Sequence, residues 1–281
     1  MIISSYFIRF IIFSFMGWIY ECTYCTVKTG HWENRGFLFG PICPIYGVGA
    51  TITMIIFNEL PFFTGGETIW WKIFLVCAIG SAILEYSVSY VLEKRFHAMW
   101  WDYSQVPLNV NGRICLPATL SFGVAGVVIV KWFFPWILQY FAMGDAHPVI
   151  NEIISLALMM VLGMDLALTV ASLTSLLRVL DEAQDKFDER MEASVEKVAS
   201  APAMIKEKVS EAPEAIMAKV SEAPEAIMAK VSEAPGMLRA KAADMMKLTR
   251  RQKRHLHTIT TFKDVKHAKL VERLRREEHD S

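Results

Sequence analysis

Five apolar stretches separated by short polar intervals fill the first 180 residues. They run from about Ser5 to Val27, Phe37 to Phe57, Ile69 to Leu92, Ile114 to Phe134 and Val149 to Leu177. A hydrocarbon core of about 30 Å is crossed by about 20 helical residues, and each stretch is near that length. The pattern predicts an all-α integral membrane protein with about five transmembrane helices. The first stretch contains Glu21, is long for a signal-peptide core and has no small-residue cleavage site after it. It therefore reads as a retained span.

The second stretch opens with Gly36-Phe37-Leu38-Phe39-Gly40-Pro41-Ile42-Cys43-Pro44-Ile45-Tyr46-Gly47. Proline lacks the backbone N–H and collides with the preceding helical turn. A broken span is expected, with irregular backbone around Gly40, Pro41, Pro44 and Gly47. Such backbone is tolerated at membrane depth where it is buried in protein or lines a cavity. Discontinuous helices of this kind build binding sites in many transporters.

Basic residues between the stretches set an orientation. The first interval has Lys28 and Arg35, the third has Lys94, Arg95 and Arg113, and the fifth stretch is followed by Arg178 and a charged tail. The second interval has only Glu59 and Glu67, and the fourth span carries Lys131. The positive-inside rule places intervals one and three and the tail in the cytoplasm, with the N-terminus outside. Arg9 and Lys72 run against that bias. Trp70, Trp71, Trp132 and Trp136 suit an outer aromatic belt, and Trp100 and Trp101 an inner one.

Glu21, Glu85 and Asp165 interrupt the apolar runs. An ionisable group inside a span costs about 3 kcal/mol on insertion scales and usually faces a cavity or a partner. Spans one, three and five run in the same direction, and each carboxylate follows its span's start by about 16 residues. At 1.5 Å per residue that is roughly 24 Å, so all three fall at a similar depth. The even-numbered spans begin at that same face. Arg35 precedes the second. The fourth follows Trp100-Trp101-Asp102-Tyr103-Ser104 and Asn109-Val110-Asn111-Gly112-Arg113, where Asn111-Gly112 signals a turn. Glu21, Arg35, Glu85, Asp102, Asn111, Arg113 and Asp165 are thus expected to line one polar vestibule open to the cytoplasm. The structural alternative is that Arg35 and Arg113 neutralise Glu21 and Glu85 as ion pairs.

Composition sharpens the division of the chain. Across 281 residues the formal net charge is +0, yet residues 181–281 hold most of the charge and few aromatics. Residues 181–235 carry 7 basic and 13 acidic side chains, and residues 236–281 carry 13 basic and 6 acidic. Three regions follow: a transmembrane domain over 1–178, an acidic helical extension over 179–235 and a basic cytoplasmic tail over 236–281. The five cysteines lie in or beside apolar segments, and Cys22 and Cys25 read as buried core residues rather than a metal or redox pair. His255, His257, His267 and His279 show no metal-ligand spacing with cysteines. No metal or cofactor is expected.

Within the acidic extension, Lys208-Val209-Ser210-Glu211-Ala212-Pro213-Glu214-Ala215-Ile216-Met217-Ala218 recurs from Lys219 and begins again at Lys230, with a worn copy from Lys197. An eleven-residue period is three helical turns. A proline in each copy favours short linked helices or partial disorder over one smooth rod. The run Arg250-Arg251-Gln252-Lys253-Arg254 suits a solvated helix or anionic lipid. It has no interleaved aromatic residues, which argues against nucleic acid.

Residues 1 to about 178 resemble the bacterial family of putative ABC-transporter type IV (CmpB-like) membrane proteins. The resemblance rests on Gly17-Trp18-Ile19-Tyr20-Glu21, on Asn34-Arg35 running into the broken segment to Gly47, and on Trp100 to Ser104 continuing through Asn109 and Gly112-Arg113-Ile114-Cys115-Leu116. It implies a permease-like component in the bacterial cell membrane. The chain has no G-x-x-x-x-G-K-[ST] phosphate loop, so ATP-driven work requires a separate ATPase. Five spans are few for a whole translocation path, which points to a homodimer or another partner. Two other readings remain open: a membrane-embedded enzyme acting on a lipid-linked substrate at the inner leaflet, and a scaffold that recruits partners through its tail. Neither H-E-x-x-H nor G-x-S-x-G occurs in the sequence.

Overall fold

Apolar runs with few internal breakers fold as helices in the computed structural model, which describes residues 2–32, 34–60, 69–209, 248–263, 267–268 and 271–272. The helices are α1 (Ile2–Thr29), α2 (Pro44–Glu59), α3 (Trp70–Phe96), α4 (Leu116–Val128), α5 (Phe134–Asp145), α6 (Pro148–Val209) and α7 (Arg250–Thr258). Among the described residues, four short strands accompany them: β1 (Ala98–Met99), β2 (Asn109–Val110), β3 (Ile114–Cys115) and β4 (Thr261–Phe262). Four helical runs among the described residues are long and apolar enough to cross a membrane: Ile2–Thr29, Trp70–Phe96, Leu116–Ala142 and Pro148–Ala183. The second expected span is the 16-residue α2, which Pro44 opens at its first helical position. Proline is at home there, where its missing N–H leaves no helical bond unmade. At 1.5 Å per residue α2 is about 24 Å long, and the chain from Gly36 to Cys43 approaches it without helical structure.

α1 and α2 pack because small residues let them meet closely. A side chain at Gly47 would lie 2.0 Å from Ser14 Oγ and 2.6 Å from the Phe10 carbonyl, and one at Gly17 would lie 2.3 Å from Tyr46 Cβ. Small residues at such crossings are a common basis of helix association in lipid. The Cys43 N–H donates to the Ser14 carbonyl at 2.9 Å, tying the start of α2 to the same crossing. A core of Phe13, Met54, Phe134, Ile137 and Phe141 joins α1, α2 and α5.

Between α4 and α5 the helix widens over Ile129–Phe133, where the Phe134 N–H reaches the Ile129 carbonyl. Pro135 follows at once. Proline's ring collides with the carbonyl four residues back, and a single π-helical turn relieves the clash without breaking the span.

The described residues fall into two compact units. One lies within Met1–Leu173 and Arg254–Lys263, the other within Thr174–Lys253 and Asp264–Ser281. In the second unit Leu176, Leu180, Ala183 and Val271 are buried. Gln252 donates to Ser175 Oγ at 3.0 Å, and His267 Nε2 meets Asp181 Oδ1 at 2.9 Å. α6 continues as helix to Val209, past the end of the apolar run. The eleven-residue copies from Ser210 onward, Glu67, His279 and most of the basic tail lie outside the described residues.

Candidate functional site: an interrupted span held by side chains

A non-helical segment leaves backbone N–H and C=O groups that lipid cannot satisfy. Here side chains meet them. Asp165, from α6, accepts the Phe39 N–H on Oδ1 at 3.0 Å and the Gly40 N–H on Oδ2 at 2.7 Å. Thr169, one turn further along α6, donates to Asp165 Oδ1 at 3.4 Å. Arg254, from α7, donates to the Leu38 and Phe39 carbonyls, both at 2.7 Å. Two successive peptide groups are therefore held by their amides on an acid and by their carbonyls on a base. A Cβ at Gly40 would sit 2.8 Å from Asp165 Oδ2, so a larger residue there would have to displace the carboxylate.

The stretch after α7 completes the clamp. β4 pairs antiparallel with β1, Phe262 opposite Ala98 and Thr261 opposite Met99. The Thr260 and Lys263 amides donate to the Met99 and His97 carbonyls at 2.8 and 2.9 Å. Thr261 Oγ1 donates to Asp102 Oδ2 at 3.2 Å. The His255 ring lies 5.0 Å from that of Phe39, and its Nε2 is buried with no hydrogen-bond partner among the described residues. Burial, followed by the adjacent charge of Arg254, pushes the His255 imidazole down to about 4. Burial also lowers Arg254 from its usual range, against the opposing pull of Asp165.

The other two intramembrane carboxylates each meet a tyrosine. Tyr46 OH donates to Glu21 Oε2 at 2.5 Å, and Cys25 Sγ stands 4.0 Å from Glu21 Oε1. Tyr103 OH approaches Glu85 Oε1 at 3.4 Å. Glu85 is buried, and its Oε2 has no hydrogen-bond partner among the described residues. Burial, then the charges of Glu85, Cys115 and Glu21, push the Tyr103 phenol well above its usual range, so both acids act on this one ring.

A folded loop between α3 and α4 presents Tyr103. Asn111 and Gly112 have φ of 56° and 69°, and the Arg113 N–H closes the turn on the Val110 carbonyl at 3.0 Å. Both central residues are left-handed, a conformation that Asn-Gly adopts readily. Asp102 Oδ1 caps the Ser104 N–H at 2.9 Å. Burial alone would raise the Asp102 carboxyl, but bonds from Ser104 and Thr261 and the charge of Lys263 bring it below its usual range. Trp101 Nε1 donates to the Arg113 carbonyl, and Asn111 to Tyr86 OH.

The residues singled out in the sequence thus meet partners in several groups: Glu21 with Tyr46, Glu85 with Tyr103, Asp165 with the broken segment, and Asn111 and Arg113 with Tyr86. Arg113 does not neutralise Glu85. It reaches Glu93 at 2.9 Å and lies over the Tyr86 and Tyr90 rings, because Glu93 is two turns nearer the end of α3 where Arg113 enters. Glu21 accepts from Tyr46 and stands beside Cys25, and Arg35 is half-buried at the approach to the broken segment. Trp100 is buried against Phe37 and Phe96 instead of standing in an aromatic belt. Sequence reasoning missed Tyr46, Tyr103, Arg254 and His255. The first two lie within segments already singled out, but as uncharged residues they were not assigned to the vestibule. Arg254 sits in a basic run that reads as solvated.

Neither the curated proteins nor the solved structures contain a match to the chain. A family model does match, and it covers residues 8–170, including α1, the broken segment, α2, the Trp100–Arg113 loop and Asp165. The chain belongs to the membrane-protein family described as Putative ABC-transporter type IV.

Proposed function

We propose that this chain is a permease component in the cell membrane, working with a separate ATPase. The vestibule comprises Glu21, Glu85, Tyr46, Tyr103 and the Leu38–Gly40 segment, and it opens to the cytoplasm. The observation that carries this reading is the segment gripped by Asp165 and Arg254. A span broken at depth and held by side chains can change partners without unfolding a helix, which is how discontinuous helices serve transport. Glu85 supports it, since a buried carboxylate oxygen without a partner is a common mark of a functional group. The orientation rests on the positive-inside bias of Arg35, Lys94, Arg95 and Arg113 in the intervals between spans.

The first test is purification from the native membrane in mild detergent, with crosslinking. A stoichiometric ATPase is expected, and Glu85→Gln is expected to keep that complex while abolishing substrate-stimulated ATP hydrolysis. Repeated recovery of the crosslinked protein with no ATPase would overturn the ATP-driven reading.

A further inference from the structure

At the far end of the bundle from the broken segment, α1, α5 and the start of α6 enclose a trough of about 530 Å³. Ile8, Ile12, Ile137 and Phe141 form much of its wall. Trp136 and Tyr140 stand at its side, 54% and 51% exposed. The volume falls within the range of small-ligand sites, roughly 300–1,000 Å³, and such sites commonly lie between the helices of a bundle.

One end of the trough is polar and carries both signs. Arg9 pairs with Asp145 Oδ2, and its guanidinium lies over the Tyr6 and Phe141 rings at 5.0 and 5.3 Å. Its Nε is buried with no hydrogen-bond partner among the described residues. Asn151 bridges Asp145 Oδ1 at 3.3 Å and Ser5 Oγ at 3.4 Å. The Asp145 side chain remains 38% exposed and retains acceptor capacity. A partly exposed guanidinium beside an accessible carboxylate matches a head group with an anion and an ammonium side by side. A singly anionic head would meet Asp145 with no positive group to offer. A soluble zwitterion would match the polar end but leave the apolar wall uncovered. Exposed Trp and Tyr beside the trough suit the depth at which lipid head groups lie.

We propose that this trough holds one zwitterionic phospholipid with a phosphoethanolamine head. The phosphate accepts from the exposed part of the Arg9 guanidinium, the ammonium donates to Asp145, and one acyl chain lies along Ile137 and Phe141. The site is separate from the vestibule and does not depend on the permease reading.

The test is native mass spectrometry of the full chain taken from nanodiscs containing equal phosphatidylethanolamine and phosphatidylglycerol. One phosphatidylethanolamine should be retained by the wild type, with about a tenfold preference, the scale of one charge-assisted contact. Asp145→Asn should erase the preference, because the ammonium loses its partner. Ile8→Trp, which fills the trough and leaves the ion pair, should abolish retention of both lipids at unchanged melting temperature. Soluble glycerophosphoethanolamine should not displace the lipid, since it lacks the chain. Retention of both lipids in the ratio supplied would overturn the proposal. So would a preference that persists in folded Asp145→Asn, or retention undiminished in Ile8→Trp.

Discussion

Asp165 stands between Met164 and Leu166 on a helix face rich in exposed apolar side chains, and nothing beside it in sequence hints at its partners. Its partners are backbone amides more than 120 residues earlier. The sequence could mark Asp165 as out of place in an apolar run, because that judgement needs only local hydropathy. It could not supply the bidentate cap, because backbone donors carry no residue signature. Replacing Asp165 by Ala leaves the Phe39 and Gly40 amides without an acceptor, at roughly 1–3 kcal/mol for each buried donor left unmet. Asp165→Asn retains one acceptor and should cost less. Thermal unfolding in detergent should therefore rank wild type above Asn above Ala. An Ala variant that melts with the wild type would mean that the segment finds other acceptors and that Asp165 does not hold it.

At the scale of elements, hydropathy located α1, α3 and the α4–α5 run, because each is long, apolar and lightly interrupted. The Pro-Gly segment was legible as a break, and the helix starts where Pro44 lets it. What pattern could not show is how closely α1 and α2 cross, since the space above a glycine depends on a second helix. That crossing makes a contrast between glycines measurable. A Cβ at Gly47 would lie 2.0 Å from Ser14 Oγ and 2.6 Å from a backbone carbonyl, whereas at Gly80 in α3 nothing lies within 4 Å. Gly47→Ala must push the helices apart and should destabilise by about 1–3 kcal/mol, the usual cost of overpacking. Gly80→Ala should be neutral or stabilising by up to about 1 kcal/mol, from helix propensity alone. Chemical denaturation in mixed micelles reads both. Equal effects at the two sites would show that the α1–α2 contact is not tight.

Over the whole molecule, the decisive feature is that residues 254–263 belong to the same compact unit as the first 173. A charged run after a long polar stretch reads as solvated. The return becomes visible only when the Leu38 and Phe39 carbonyls, the open edge of β1 and the Asp102 carboxylate are all seen to need donors. The clamp also has a pH dependence whose sign follows from His255. Docked, its imidazole is pushed down to about 4 by burial and by Arg254. Free, it titrates near its ordinary value of about 6.5. Between those values the free segment binds a proton that the docked one does not. Docking is therefore complete above about pH 6.5, weakens by up to about tenfold per pH unit as pH falls toward about 4, and is level below that. Hydrogen exchange at the Thr260 and Lys263 amides, corrected for intrinsic rate, reports the docked fraction directly, since their acceptors are the Met99 and His97 carbonyls. Protection should fall between pH 7 and pH 5 in the wild type and stay level in His255→Phe, which keeps the ring against Phe39 and removes the proton. Level protection in both proteins would mean that the imidazole is protonated in place, and the segment would then be a fixed part of the fold rather than one that acid can release.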